Sequence, residues 1–229
     1  MKPPPNFNML ARSYRWMERL TFGPWLWRCR CAFLEDLRSC RSALVIGDGD
    51  GRFTAQLLRE NSAVVVDAMD VSKNMLAELA RNAGIFIGRV RIHLADARSS
   101  EFPPLPYDLI VTHFFLDCLT TAEIGALAAQ IRRQVRPESR WVVSEFAVPP
   151  GLVGWLIARP LITVLYLAFW ILTGLSVHRL PNYHKALAES DFILANEKTW
   201  LGGILVSELW TPKPAKPARE IDFEPWTNW

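Results

Sequence analysis

Residues 43–51 read Ala43-Leu44-Val45-Ile46-Gly47-Asp48-Gly49-Asp50-Gly51, an apolar run that enters a G-x-G-x-G turn with acids at both spacer positions. Glycine permits a positive φ and lets other atoms approach the main chain, which a ligand bound at a strand-to-helix turn requires. A dinucleotide fingerprint needs a third glycine at position 52, and Arg52 stands there. A P-loop is excluded because no Gly-Lys-Ser/Thr follows. Asp48 and Asp50 would repel a pyrophosphate and suit a cationic ligand, such as one carrying a sulfonium or ammonium group.

Working outward, a doubly wound fold places an acid about 20 residues on, at the end of the second strand, to accept hydrogen bonds from ribose hydroxyls. Asp70 fills that place. It directly precedes a helix start in Asp70-Val71-Ser72-Lys73-Asn74-Met75-Leu76, with Ser72 as N-cap. Asp67 competes but lies inside the apolar run. Further on, Leu94-Ala95-Asp96-Ala97 puts an acid at the end of a third strand, and Tyr107-Asp108-Leu109-Ile110-Val111 opens a fourth.

Taken in order, these motifs resemble the class I S-adenosylmethionine-dependent methyltransferases, in particular the branch of ubiquinone and menaquinone C-methyltransferases, over roughly residues 40–210. The resemblance implies S-adenosylmethionine as cofactor. It would be held by Gly47, Asp48, Gly49, Asp50 and Gly51, by Asp70 with Val71 and Met75 at the ribose, and by Asp96 and Ala97 at the adenine. Two positions depart from the pattern. Val45 stands where relatives carry an acid near the methionine end, so Asp48 or Asp50 is expected to meet the ammonium. The loop His113-Phe114-Phe115-Leu116-Asp117-Cys118 has no fixed counterpart, so the acceptor does not transfer with the resemblance.

Strands 43–47, 63–69, 89–95, 107–113 and 140–147 alternate with helices 52–60, 73–82 and 121–135, which predicts a parallel sheet covered on both faces. A helix over 180–190 and strands 192–200 and 204–210, split at Gly202-Gly203, complete the pattern. The expected fold is α/β, a Rossmann-like doubly wound seven-stranded sheet with a C-terminal antiparallel hairpin. Residues 1–41 form an N-terminal helical cap, 42–211 the methyltransferase domain and 212–229 a Pro-rich tail. An apolar lid, 152–179, is inserted after the fifth strand.

That lid has no charged side chain over 161–177, close to the roughly 20 residues that span a bilayer. Arg159 and Pro160 interrupt it, and strands of one sheet flank it, so a span is disfavoured. A lid offering Trp155, Tyr166, Phe169 and Trp170 to a greasy acceptor, an interfacial helix, a homodimer contact and a plain buried helix remain open. Residues 1–41 hold eight Lys/Arg against three Asp/Glu, so the net charge of +3 sits there. Arg12, Arg15, Arg19, Arg28 and Arg30 interleave with Tyr14, Trp16, Phe22, Trp25 and Trp27, the composition of a helix lying on anionic lipid. The same mixture can stack on RNA, but no nucleic-acid motif accompanies it.

The cysteines at 29, 31, 40 and 118 lack zinc-ligand spacing, so no metal is expected and reduced thiols are. Arg12, Arg15, Glu18 and Arg19 break up any secretory signal, which places the protein in the cytoplasm, peripheral on the inner face of the membrane if it binds lipid. The expected reaction is methylation of a lipophilic small molecule, a quinone precursor or phenol-like acceptor. A soluble metabolite as acceptor and a non-catalytic cofactor-binding scaffold are the alternatives. Candidate bases or acceptor contacts are His113, Asp117, Tyr183 and His184. Asp117 would orient His113, act itself, or cap the helix before Thr121, and Arg159 could meet an anionic head group.

Overall fold

The computed structural model describes residues 22–104, 106–152, 154–173 and 180–214. Arg12, Tyr14, Arg15, Trp16, Arg19, Trp226 and Trp229 lie outside that range, as do the side chains of Tyr166, Phe169 and Trp170.

Seven strands form one sheet: β1 (Ser42–Ile46), β2 (Val65–Asp70), β3 (Val90–Leu94), β4 (Tyr107–His113), β5 (Val135–Phe146), β6 (Phe192–Trp200) and β7 (Leu205–Pro212). Their spatial order is β3-β2-β1-β4-β5-β7-β6, parallel except for β7, which runs antiparallel to both neighbours. This is the Rossmann-like fold expected, closed by the hairpin that turns at Leu201–Gly203. The order reverses between β1 and β4, which leaves a crevice at the strand ends where the glycine turn lies.

The helices are α1 (Trp25–Arg30), α2 (Arg52–Glu60), α3 (Lys73–Ala83), α4 (Thr121–Arg132), α5 (Arg159–Thr173) and α6 (Tyr183–Glu189). α2 and α3 cover one face of the sheet, burying Phe53, Leu57, Leu58 and Leu79 against Val45, Val66 and Val111. α4 and α6 cover the other, with Ile124, Leu127, Ile131 and Leu187 on Trp141 and Ile110. A third cluster joins α1 to α5 through Leu26, Cys29, Ala158 and Ile162, with Phe114 and Cys118 beneath.

Local chemistry fixes the element ends. Ser72 Oγ accepts the Met75 N–H at 3.2 Å, a cap that contributes about 1 kcal/mol. α4 begins in a reciprocal capping box between Thr120 and Glu123. Asp117 therefore does not cap this helix. Two boundaries differ from expectation. β5 begins at Val135 rather than 140, because residues 136–139 bulge opposite Asp108 while Ser139 Oγ accepts the Arg136 N–H and donates to the Tyr107 carbonyl. α4 stops at Arg132, since the chain is already paired as strand from Val135.

Candidate active site

The glycine turn follows β1 directly. Gly47 and Gly51 have φ of 69° and 75°, in the left-handed region. A Cβ on Gly47 would stand 2.6 Å from Phe115 Cδ2, and one on Gly51 2.6 Å from Leu79 Cα, so the loop is pressed between the turn after β4 and helix α3. Only glycine fits both the dihedrals and the space.

The two acids of the turn have different surroundings. Asp50 is buried and bound to Arg52 Nε at 2.9 Å. Asp48 Oδ2 accepts the Thr54 N–H at 2.8 Å and the Thr54 hydroxyl at 2.7 Å, which ties the loop to the first turn of α2. Its Oδ1 is buried without a hydrogen-bond partner. Burial pushes the Asp48 carboxyl up to about 6, against the hydrogen bonds from Thr54. Asp70, at the end of β2, accepts the Ser72 N–H at 2.8 Å and is likewise pushed up to about 6 by burial. Val71 is half-buried beside it, and Met75 is buried in the first turn of α3.

Asp67 is fully engaged elsewhere. It meets Arg91 at 2.6 Å, His93 Nε2 at 2.7 Å and the Tyr107 hydroxyl at 3.1 Å, in the middle of β2. Asp96, half-buried beyond β3, is bridged by Arg98 at 2.7 to 3.1 Å, and Ala97 beside it is buried. Burial works against the Asp96 charge, but the Arg98 hydrogen bonds hold its carboxyl below the usual value.

The remaining candidates do not converge. His113 is buried, with Nδ1 2.9 Å from Ser144 Oγ and its ring edge-on to Phe53. Burial, followed by the charge of Arg30, holds its pKa well below the ordinary histidine value, so the ring is neutral. His113 and Ser144 are partners in register, and successive strand residues point to opposite faces. Asp117 does not orient His113: it groups electrostatically with Glu145, the residue after Ser144. Tyr183 stacks on His184, whose Nε2 lies 2.7 Å from Glu208 Oε1.

Glu145 carried no expectation, although an acid ending the apolar run Trp141-Val142-Val143 was a visible signal. It is 1% exposed, its Oε1 accepts the N–H groups of Phe115 (3.1 Å) and Leu116 (2.7 Å), and its Oε2 has no partner. Arg30, on α1 beside Asp48, also went unassigned to the loop.

Residues 43–138, which include the glycine turn, Asp70 and Asp96, match the methyltransferase domain family. This segment is similar to methyltransferase domains. No curated protein matches the sequence. Among solved structures, the domain's fold is similar to the mitomycin 7-O-methyltransferase MmcR, with 15% identity, a TM-score of 0.68, and 90% of this chain and 60% of that chain covered. It is also similar to an O-methyltransferase family 2 protein from Planctomyces limnophilus in complex with apigenin, at 21% identity, TM-score 0.64, 88% and 61%. A TehB-like S-adenosylmethionine-dependent methyltransferase from Corynebacterium glutamicum gives 14%, 0.60, 90% and 99%. The chain thus spans about three-fifths of the first two.

The resemblance in sequence implies S-adenosylmethionine as cofactor, and the TehB-like neighbour is by its name a methyltransferase that depends on it. The site fits it, because a buried carboxylate oxygen with nothing to accept from, Asp48 Oδ1, is the complement of a cation that carries N–H groups.

Proposed function

We propose that the chain transfers a methyl group from S-adenosylmethionine to a lipophilic small molecule, a quinone precursor or phenol-like acceptor, at an anionic membrane surface on the cytoplasmic side. The observation that carries this reading is the segment after β5. Trp155, Leu156 and Ile157 in the π-helical segment 154–158, and Val164 and Leu167 in α5, are all more than half exposed. From the same segment, Ala158 and Ile162 pack inward in the cluster that holds Phe114 and Cys118, next to the glycine turn. An apolar surface of this kind marks a lipid, ligand or protein contact. Exposed Arg159 follows it, and Arg28 lies 4.7 Å over the Trp25 ring on neighbouring α1, which supplies a cationic rim. Among the described residues no helix is long and apolar enough to cross a membrane.

When bound, S-adenosylmethionine supplies an electrophilic methyl group on a cationic sulfur. The chain's part is positioning and the exclusion of water. Gly47, Gly49 and Gly51 admit the ligand to the backbone. Asp48 takes the ammonium in place of an acid at Val45, while Asp50 stays with Arg52. Asp70, flanked by Val71 and Met75, receives the ribose hydroxyls. Asp96 and Ala97 meet the adenine, with Arg98 fixing the carboxylate. Of the four candidate bases, His113 is a buried neutral ring bound to Ser144, His184 is committed to Glu208, and Asp117 and Tyr183 are left to meet the acceptor.

Calorimetric titration with S-adenosylmethionine and S-adenosylhomocysteine is the first test, with micromolar dissociation constants expected. Transfer to apigenin, as a probe phenol, should be faster with anionic vesicles present. Absence of cofactor binding would turn the chain into a scaffold. Binding and transfer indifferent to vesicles, from a dimeric protein, would assign the apolar face to a second copy and the activity to a soluble acceptor.

A further inference from the structure

Glu145 ends β5 at the edge of the sheet where ligands of open α/β folds bind. One of its oxygens holds the turn after β4 by accepting the N–H groups of Phe115 and Leu116. That task leaves Oε2 buried and unfilled. The same turn, Leu116–Cys118, carries Asp117. Burial, then the charge of Asp117, drives the Glu145 carboxyl well above its usual range, and burial brings Asp117 up to about 6. Two carboxyls enclosed together do not both ionise, so they keep one proton between them near neutral pH.

Two further observations place this pair at the reaction. Phe115, in the backbone segment Glu145 holds, is the residue against which Gly47 is packed. The buried Tyr183 hydroxyl lies within the field of Glu208 and, after it, of Glu145. Glu145 Oε2 is thus a buried, unfilled acceptor next to the turn that packs on the glycine loop, with the Tyr183 hydroxyl in its field. The other groups that face the pair are Cys118 in the same turn and Cys29 on α1, both thiols that burial keeps neutral, and Tyr183 on α6.

We infer that the Asp117–Glu145 carboxyl pair is the proton acceptor of the methyl transfer, with Glu145 Oε2 and the Asp117 carboxylate facing the acceptor hydroxyl. This rests on the methyl-transfer reading above. As the acceptor's O–H bond breaks, an O–CH3 bond forms and the carbon–sulfur bond gives its electron pair to the sulfonium, leaving a neutral thioether. The proton joins the pair and passes to solvent after product release.

The test has one arm that needs no acceptor. Infrared spectra of the free protein should show a protonated-carboxyl band at pH 7 that Glu145→Gln removes. One component titrating near pH 6 should vanish in Asp117→Asn. A band and titration unchanged in both variants overturn the inference. In the second arm, with S-adenosylmethionine and apigenin, each variant should lose about 100-fold or more in kcat. At saturating S-adenosylmethionine, the acidic limb of kcat/KM for apigenin should disappear in Asp117→Asn, while S-adenosylhomocysteine affinity shifts by less than about 3-fold. An unchanged kcat and pH profile also overturn it. Wild-type protein that binds the cofactor yet methylates no phenol sinks the proposed function instead, and the infrared arm then decides on the pair alone. Glutamine at 145 retains the oxygen that accepts both N–H groups; should that variant misfold, Asp117→Asn carries both arms.

Discussion

Asp48, proposed to take the cofactor ammonium, costs the fold stability near neutral pH. Its carboxyl rises from 3.8 to about 6 on folding, so the folded state binds the proton more tightly. The stability this gives is full below the unfolded value and is lost as pH rises through about 6, a loss of roughly 3 kcal/mol at pH 7. Asp48→Asn should therefore raise the melting temperature at pH 7, not at pH 4, while weakening S-adenosylhomocysteine at least about 10-fold. A variant with unchanged affinity would remove Asp48 from the ammonium site. Because Asp70 is raised in the same way, wild-type affinity should climb between pH 5 and 7 and then level off. The places of the glycines, Asp48, Asp70 and Asp96 at the ends of β1, β2 and β3 were legible in the sequence because their spacing is local. Glu145 was not, since its part depends on a turn 30 residues away in the chain.

At the scale of elements, the π-helical segment 154–158 and α5 should behave as a contact surface. Trp155→Glu with Leu156→Glu changes only side chains that are 64% and 58% exposed, so the fold and the affinity for S-adenosylhomocysteine should persist. Co-sedimentation with anionic vesicles should fall several-fold, and retained co-sedimentation would dismiss this face as the lipid contact. Helix α2 was readable to the residue over 52–60, and β4 over 107–113, because a glycine turn and an apolar run bounded them. The start of β5 was not readable. Arg136-Pro137-Glu138 looks like loop in a sequence, and only the bulge supported by Ser139 lets the strand include it.

For the molecule as a whole, the two strands beyond β5 are tied to α6 through Glu208, which is fully buried in β7 and bound by His184 of α6 and by Trp210 Nε1 at 2.7 Å. The hydrogen bond to Glu208 raises the His184 pKa. That contribution is present below about 6.5, the unfolded value, and fades as pH rises through the folded one. His184→Gln should lower the melting temperature more at pH 5.5 than at pH 8.5; an equal loss at both would mean the pair carries no charge. The two-sided sheet was predictable from strand and helix alternation, whereas this pin was hidden, because a histidine and a glutamate 24 residues apart announce nothing until the hairpin folds back. The strand order also constrains the order of assembly. β7 lies between β5 and β6 although it leaves the ribosome after both. β5 keeps a bare edge until residues 205–212 emerge, and β6 has no place in the sheet before then. Ribosome-bound chains halted ahead of residue 205 will thus hold β5, the strand that carries Glu145, as an open template for chaperones or other nascent chains, and this edge will be the last part of the sheet to become safe.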